Sequence, residues 1–265
     1  MTGAPTDGRW CEALDLANAP GDAPAAFCAD LSPSSLLAAY RRGLFPLPAA
    51  DEYAAALNEA LFEGRVADGS IGLSGAPAQA YRVAWWSPDP RPVLAPDQVH
   101  LTRRLTRRLR NGTPWSATAD RAFGEVLAAC AAGREQQWLT AELRASLERL
   151  HRDGFAHSAE VWEGGELVGG VFGVLAGPVL SLDSMFHRRP GAGQVAVAEL
   201  GARFAEAGGE LLDAQWDSPH VRALGARPVG RAAYLARLGR DAVPGGLPGG
   251  ERPVARAAVL APARS

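Results

Sequence analysis

Between residues 166 and 215 the apolar and polar positions fall into four consecutive patterns. Residues 167–175 and 179–186 are apolar runs joined by an Ala-Gly-Pro turn, and their length and branched content predict two strands. Residues 196–207 place Val197, Leu200, Phe204 and Ala205 at helical spacing. The short run Leu211-Leu212 then delivers an acid and an amide two residues apart, Asp213 and Gln215. Strand, strand, helix, strand, with polar groups at strand ends, is how mixed α/β folds build a site beside a sheet. The chemistry is expected here.

The same reading extends outward. Ser32 precedes Pro33 and a run with Leu36, Leu37 and Tyr40 at helical spacing, a capped helix that Gly43 ends. Residues 49–80 hold an alanine-rich helical pattern and then a glycine-rich loop that reads as an insertion. Two tryptophans, Trp85 and Trp86, lead into proline turns around Asp89 and Arg91 and a short strand. Leu101, Leu105 and Leu109 predict a third helix, and further helices are expected at about 121–132 and 141–152. Residues 156–162 read as a strand turned by Gly164-Gly165. Residues 1–28 read as a flexible lead-in and 241–265, rich in Pro, Gly and Ala, as a disordered tail.

Composition changes this picture little. At 265 residues, 47% hydrophobic and 21% charged, the chain has material for one large or two small globular units. A net charge of −2 excludes a polycation, so any nucleic-acid contact must be local. All 27 basic residues are Arg. Three scattered cysteines (Cys11, Cys28, Cys130) suggest a reducing compartment and no metal site. With no signal-like or membrane-length apolar run, a cytoplasmic protein without membrane association is expected.

Two constellations carry candidate chemistry. Arg103, Arg104, Arg107, Arg108 and Arg110 fill the polar faces of the third helix, a spacing that suits phosphate oxygens and equally suits a solvated helix face. Side chains two apart on a strand face the same way, so Asp213 and Gln215 could grip one amine. By spacing alone they could as well be a turn cap and a strand end. His157 and His220 stand isolated and read as hydrogen-bonded scaffold.

Several blocks in order resemble the leucyl/phenylalanyl-tRNA–protein transferases: DLSPSSLLAAYRRGLFP (30–46), WWSPDPRPVL (85–94), WLT (138–140), LHRDGFAHSAEVWEGGELVGGVFGV (150–174), DSMF (183–186) and LLDAQWDSPHVRALGA (211–226). The resemblance spans about 30–235 apart from the insertion. It implies a small N-terminal domain (29–96) and a GNAT-like acyltransferase domain (97–240) with a mixed sheet flanked by helices, an α/β (α+β) fold. It implies an enzyme that moves leucine or phenylalanine from aminoacyl-tRNA to the α-amino group of a protein beginning with Arg or Lys, tagging it for degradation by the N-degron route. It implies no cofactor and no metal. A monomer is expected.

By that resemblance Asp213 and Gln215 match the catalytic pair, Asp213 accepting or orienting the amine proton and Gln215 holding the nucleophile or bearing on Asp213. Met185, Leu200, Phe204 and Val171 match positions lining the pocket for the aminoacyl side chain, with Asp183 and Phe186 beside them. Trp138 matches an aromatic near the aminoacyl-adenosine end. The departures are concentrated. Leu47 stands where an aromatic is usual, Asp183 where Glu is, Gly193-Gln194 where Ser-Lys is, and Leu147 where Tyr is common. They make a divergent member, with altered or lost transfer, a second reading. A third is a GNAT-type acyl-CoA N-acyltransferase, because residues 188–193 (RRPGAG) fit a pyrophosphate-binding turn at a helix start. That reading requires an open groove at 188–194.

Overall fold

The computed structural model describes residues 9–132, 137–240 and 246–254. The first part is built on a four-stranded sheet of β1 (Ala26–Cys28), β2 (Phe45–Pro48), β3 (Gly72–Ser74) and β4 (Val83–Trp86), ordered β2-β4-β1-β3. Between β1 and β2 runs α1 (Pro33–Arg41), capped as expected by Ser32, whose side chain accepts from the Ser35 N–H. Its buried side presents Leu36, Ala39 and Tyr40 to the body of the protein.

The segment read as an insertion contains α2 (Glu52–Ala67), capped by Asp51. Phe62 and Val66 pack it on Phe27, Ile71 and Tyr81, while Tyr53, Leu57 and Leu61 face outward. Residues 9–28 differ from the flexible lead-in expected of them. Trp10 packs on Trp85 and donates through Nε1 to Ser35 Oγ, and β1 pairs with both β3 and β4. A low-complexity sequence hides this, because burial of Trp10, Leu16 and Phe27 stabilises what local pattern does not announce. Residues 1–8 lie outside the described residues.

The second part is an eight-stranded mixed sheet. In chain order its elements are β5 (Arg91–Leu94), α3 (Arg103–Arg110), β6 (Trp115–Ala119), α4 (Phe123–Ala131), α5 (Ala141–Arg152), β7 (Ala156–Glu163), β8 (Glu166–Ala176), β9 (Val179–His187), α6 (Ala192–Glu206), β10 (Leu211–Asp213), α7 (Pro219–Ala223), β11 (Arg227–Val229), α8 (Arg231–Leu238) and β12 (Arg252–Pro253). The strand order is β11-β5-β10-β9-β8-β7-β6-β12. Among the described residues of this sheet only β9 and β10 pair in parallel, joined by α6 as the crossover. Because β5 pairs with β10 and β11, the change from the small sheet to the large one falls between Trp86 and Arg91, before the boundary near 97.

Two hydrophobic clusters occupy the two faces. Phe172 and Val174 belong with α1, α4 and α5, whereas Val171, Leu180 and Leu212 belong with α3 and α6. Adjacent residues of β8 thus enter opposite clusters, as the pleat demands. β6 gave no strand signal, since its apolar positions are Trp115 and the small Ala117 and Ala119.

Part of the expected disordered tail is ordered. β12 pairs with β6, and the buried Arg203 guanidinium donates to the carbonyls of Ala117, Pro248, Gly249 and Gly250. Residues 241–245 and 255–265 of that tail lie outside the described residues. Among the described residues no helix is long and apolar enough to cross a membrane, and no group of three His, Cys, Asp or Glu could hold a metal ion.

Candidate active site

The site forms where two strands part. β10 pairs with β9 over Leu211–Val179, Leu212–Leu180 and Asp213–Ser181, and its strand ends at Asp213. One step further along β9, the pairing with β8 slips: Phe172 lies opposite Ser184, but Gly173 lies opposite Leu182. Asp183 is the extra residue of this bulge, a device that re-aims a side chain. Gly173 permits it, because a Cβ there would lie 1.9 Å from the Ser181 carbonyl oxygen.

Asp213 is fully buried and its carboxylate accepts four hydrogen bonds. Arg91 donates twice, from Nε at 2.9 Å and NH2 at 2.8 Å, the Tyr234 hydroxyl donates at 2.9 Å, and the Gln215 backbone N–H donates at 2.8 Å. Four donors use the lone-pair positions that two carboxylate oxygens offer. Burial alone would push Arg91 down, but the Asp213 carboxylate more than reverses this, so the guanidinium stays charged. It also lies over the rings of Phe45 and Tyr234, at 4.8 and 4.7 Å.

This ionic knot fixes the backbone of Gln215, which adopts φ +60° and turns its side chain back toward β9. The pairing of acid and amide therefore does not come from the strand pleat, as the two-residue spacing suggests; it comes from a turn beyond the strand end. Gln215 Nε2 donates to Asp183 Oδ1 at 2.6 Å and to Ser181 Oγ at 3.0 Å. The amide oxygen Oε1 is left as an acceptor.

Asp183 is partly exposed and gathers three donors, adding the Tyr40 hydroxyl at 2.7 Å and Ser181 Oγ at 3.2 Å to the Gln215 amide. Burial raises its pKa to about 7; bonds from Tyr40 and Ser181 oppose the rise and the nearby Asp213 charge adds to it. Tyr40 and Tyr234 are held well above the ordinary tyrosine value, chiefly by burial and then by the adjoining carboxylates, and remain donors. The site therefore offers one carboxylate able to gain or lose a proton near neutrality, and one fixed amide acceptor beside it.

A family model described as leucyl/phenylalanyl-tRNA protein transferase matches residues 93–239, and the model of its N-terminal domain matches residues 29–53. Among proteins named leucyl/phenylalanyl-tRNA–protein transferase, one from Chromohalobacter salexigens is 39% identical over 79% of this chain and 71% of its own length. Another, from Thiobacillus denitrificans, is 40% identical over 79% and 80%. The chain belongs to the leucyl/phenylalanyl-tRNA–protein transferase family. It is thus an aminoacyltransferase of the class named for moving an aminoacyl group from tRNA to protein. Two solved structures show a weaker likeness. A GCN5-related N-acetyltransferase from Kribbella flavida aligns at TM-score 0.37 and 16% identity over 54% of this chain and 55% of that one. A Bacteroides thetaiotaomicron protein of unknown function aligns at 0.39 and 13% over 83% and 92%. Neither likeness bears on the activity.

Within this transferase the other expected residues divide. Val171, Met185, Leu200 and Phe204 share the cluster under α6, with Met185 the partly exposed member of the four. Phe186 points to the opposite face and packs with α4, near Val126 and Gly170. Trp138 lines a hollow of about 250 Å³ with Leu139 and Arg144 at the approach to α5. Arg103, Arg104, Arg107, Arg108 and Arg110 are all exposed on α3, whose Leu105 and Leu109 are buried. Arg108 lies 4.4 Å over the Trp115 ring.

The turn that a pyrophosphate would require is packed at its helix-start end, while Arg189 and Pro190 border a hollow of about 360 Å³ shared with Arg108, Trp115 and Glu163. Leu105 covers Gly191, Ala192 packs on Gly169, Arg188 donates to the Leu167 carbonyl, and Arg189 pairs with Glu163. Sequence reasoning did not connect Tyr40, Arg91, Ser181 or Tyr234 with the site. Arg91 carried a signal, an arginine inside a proline-bounded turn. Tyr40 was absorbed as one more apolar position of α1.

Proposed function

We propose that this transferase moves leucine or phenylalanine from aminoacyl-tRNA to the α-amino group of proteins beginning with Arg or Lys, tagging them for N-degron turnover. The supporting observation is the pairing of a near-neutral carboxylate, Asp183, with an amide whose nitrogen is already committed, Gln215. An N-terminal amine has an ordinary pKa of about 8 and arrives largely protonated. Gln215 Oε1 accepts from it and sets its lone pair toward the ester carbonyl. Asp183 takes its proton, since a base works best with a pKa near the working pH. After Asp183 hands that first proton to solvent, the new C–N bond forms as the ester C–O bond breaks; Asp183 takes the second proton that the nitrogen sheds and passes it to the departing ribose oxygen, leaving a neutral amide and a ribose hydroxyl.

Asp213 acts in this account as a positioning residue. It is saturated by Arg91, Tyr234 and Gln215, so it holds the amide without touching the amine. Met185 closes the aminoacyl pocket over Val171, Leu200 and Phe204, a pliable wall that serves both leucine and phenylalanine. The α3 arginines meet the tRNA backbone. Incubating the protein with charged Leu-tRNA or Phe-tRNA and matched proteins beginning with Arg, Lys or Ser, then reading intact masses, tests the reading. Addition of one residue to the Arg and Lys proteins alone is expected; addition to none, or equally to all three, contradicts it.

A further inference from the structure

We propose that the outward face of α2 is a docking groove for a basic amphipathic helix of another protein. No residue of the transfer site takes part. Almost all of α2 lies between the two matched stretches, 29–53 and 93–239, in the segment that reads as an insertion. One side of the helix is already used. Phe62 and Val66 pack on Phe27, Ile71 and Tyr81, and Asn58 donates to the Tyr81 carbonyl. The other side is apolar as well: Tyr53, Leu57 and Leu61 are 78%, 48% and 62% exposed. A helix that is apolar all round belongs in a buried setting.

The shape of that face selects a helix as its partner. Tyr53, Leu57 and Leu61 recur every four residues and form a ridge. Beside them Ala56, Ala60 and Gly64, at the same interval and all exposed, form a shallow row. A Cβ placed on Gly64 would meet nothing within 4 Å, so the row is open there. Ridge and row together form the surface into which the side chains of a second helix interdigitate.

Charge selects the kind of helix. Across the row from the ridge stand Glu59 and Glu63, both exposed and, among the described residues, outside any ion pair. A helix lying in the row meets leucines on one side and carboxylates on the other, which suits an apolar stripe flanked by Lys or Arg. A second copy of this chain supplies no free cation. Arg65, the basic residue of α2, is paired with Asp22, and Arg82 is paired with Glu52. An antiparallel pair of α2 helices would also set the two acidic rows side by side.

Two labelled, alanine-rich peptides as long as the 16 residues of α2 test this on the full chain. Both carry leucines at alternating intervals of three and four; one has arginines flanking them and its twin has glutamates. Fluorescence anisotropy should show the arginine peptide bound roughly 3- to 30-fold more tightly than its twin, the range for two exposed charge pairs. Gly64→Leu fills the row with a better helix former and should weaken the arginine peptide at least about 10-fold. Replacing both Glu59 and Glu63 by Arg should invert the preference between the peptides. Thermal melting checks that each variant is folded. Equal binding of the two peptides, a preference that survives charge reversal, or binding that Gly64→Leu leaves unchanged would overturn the proposal. So would a concentration-dependent dimer of the chain alone that Gly64→Leu dissociates, since the face would then belong to a second copy.

Discussion

Asp183 makes folding and activity depend on pH in a way that can be worked from its surroundings. Its carboxyl, held at about 7 by burial, lies some three units above the ordinary aspartate value near 4. The folded state therefore binds this proton more tightly than the unfolded chain does. The resulting stabilisation is fully present below pH 4 and is lost as pH rises through about 7. Between pH 5 and 8 the loss amounts to at most about 2.5 kcal/mol at 1.36 kcal/mol per unit, and partial exposure reduces it. Asp183→Asn removes the titration and keeps an acceptor for Tyr40 and Gln215. Urea unfolding of both proteins at half-unit steps from pH 5 to 8 isolates the effect, because other titrations cancel in the difference. The variant should gain on the parent by roughly 1–2.5 kcal/mol across that window. In parallel, the parent's kcat should rise with pH through about 7, a limb the variant lacks. Stability curves that run parallel, or a rate limb retained in the variant, would refute the assignment of Asp183 as the titrating base.

The ionic knot should be sensitive to the loss of either partner. Asp213→Ala leaves the Arg91 guanidinium buried without its counter-charge and should cost about 3–5 kcal/mol by chemical denaturation. The milder Asp213→Asn, if folded, should lower kcat far more than it raises either KM, because the side-chain oxygen that holds the Gln215 N–H is no longer fixed by the paired bonds from Arg91. Gly173→Ala places a methyl 1.9 Å from the Ser181 carbonyl; the bulge must shift, with a loss on the order of 1–3 kcal/mol and a fall in kcat. Replacing both Arg104 and Arg107 by Glu should raise KM for leucyl-tRNA while sparing leucyl-adenosine. The same change should flatten the salt dependence of tRNA binding by about one unit for each phosphate no longer neutralised.

How far the site could be read in advance depended on where each residue's partners lie in the chain. β8 and β9 were legible because continuous apolar runs flanking a turn leave few alternatives, and the structure extends them by only a residue at their ends. Asp213 and Gln215 stood out through spacing and resemblance, but their geometric relation did not, because a positive φ at Gln215 carries no sequence signal. Asp183 was visible as a shortened acid. Its raised pKa was not, since the burial behind it comes from elements distant in the chain, among them α1, whose Tyr40 lies 143 positions away. Arg91 likewise reaches Asp213 across 122 positions. β1 and β12 were hidden by alanine, glycine and proline, whose pairing is decided by neighbours rather than by local preference.

The central claim is that Gln215, fixed by Asp213 and Asp183, orients the attacking amine. Single-turnover transfer of labelled leucine from Leu-tRNA to an Arg-initiated protein, with enzyme in excess and saturating acceptor, measures that step in the parent and in Gln215→Ala. The account predicts a chemical rate at least about 100-fold lower in the variant, with Leu-tRNA still bound. A variant that transfers at the parent's rate would contradict it.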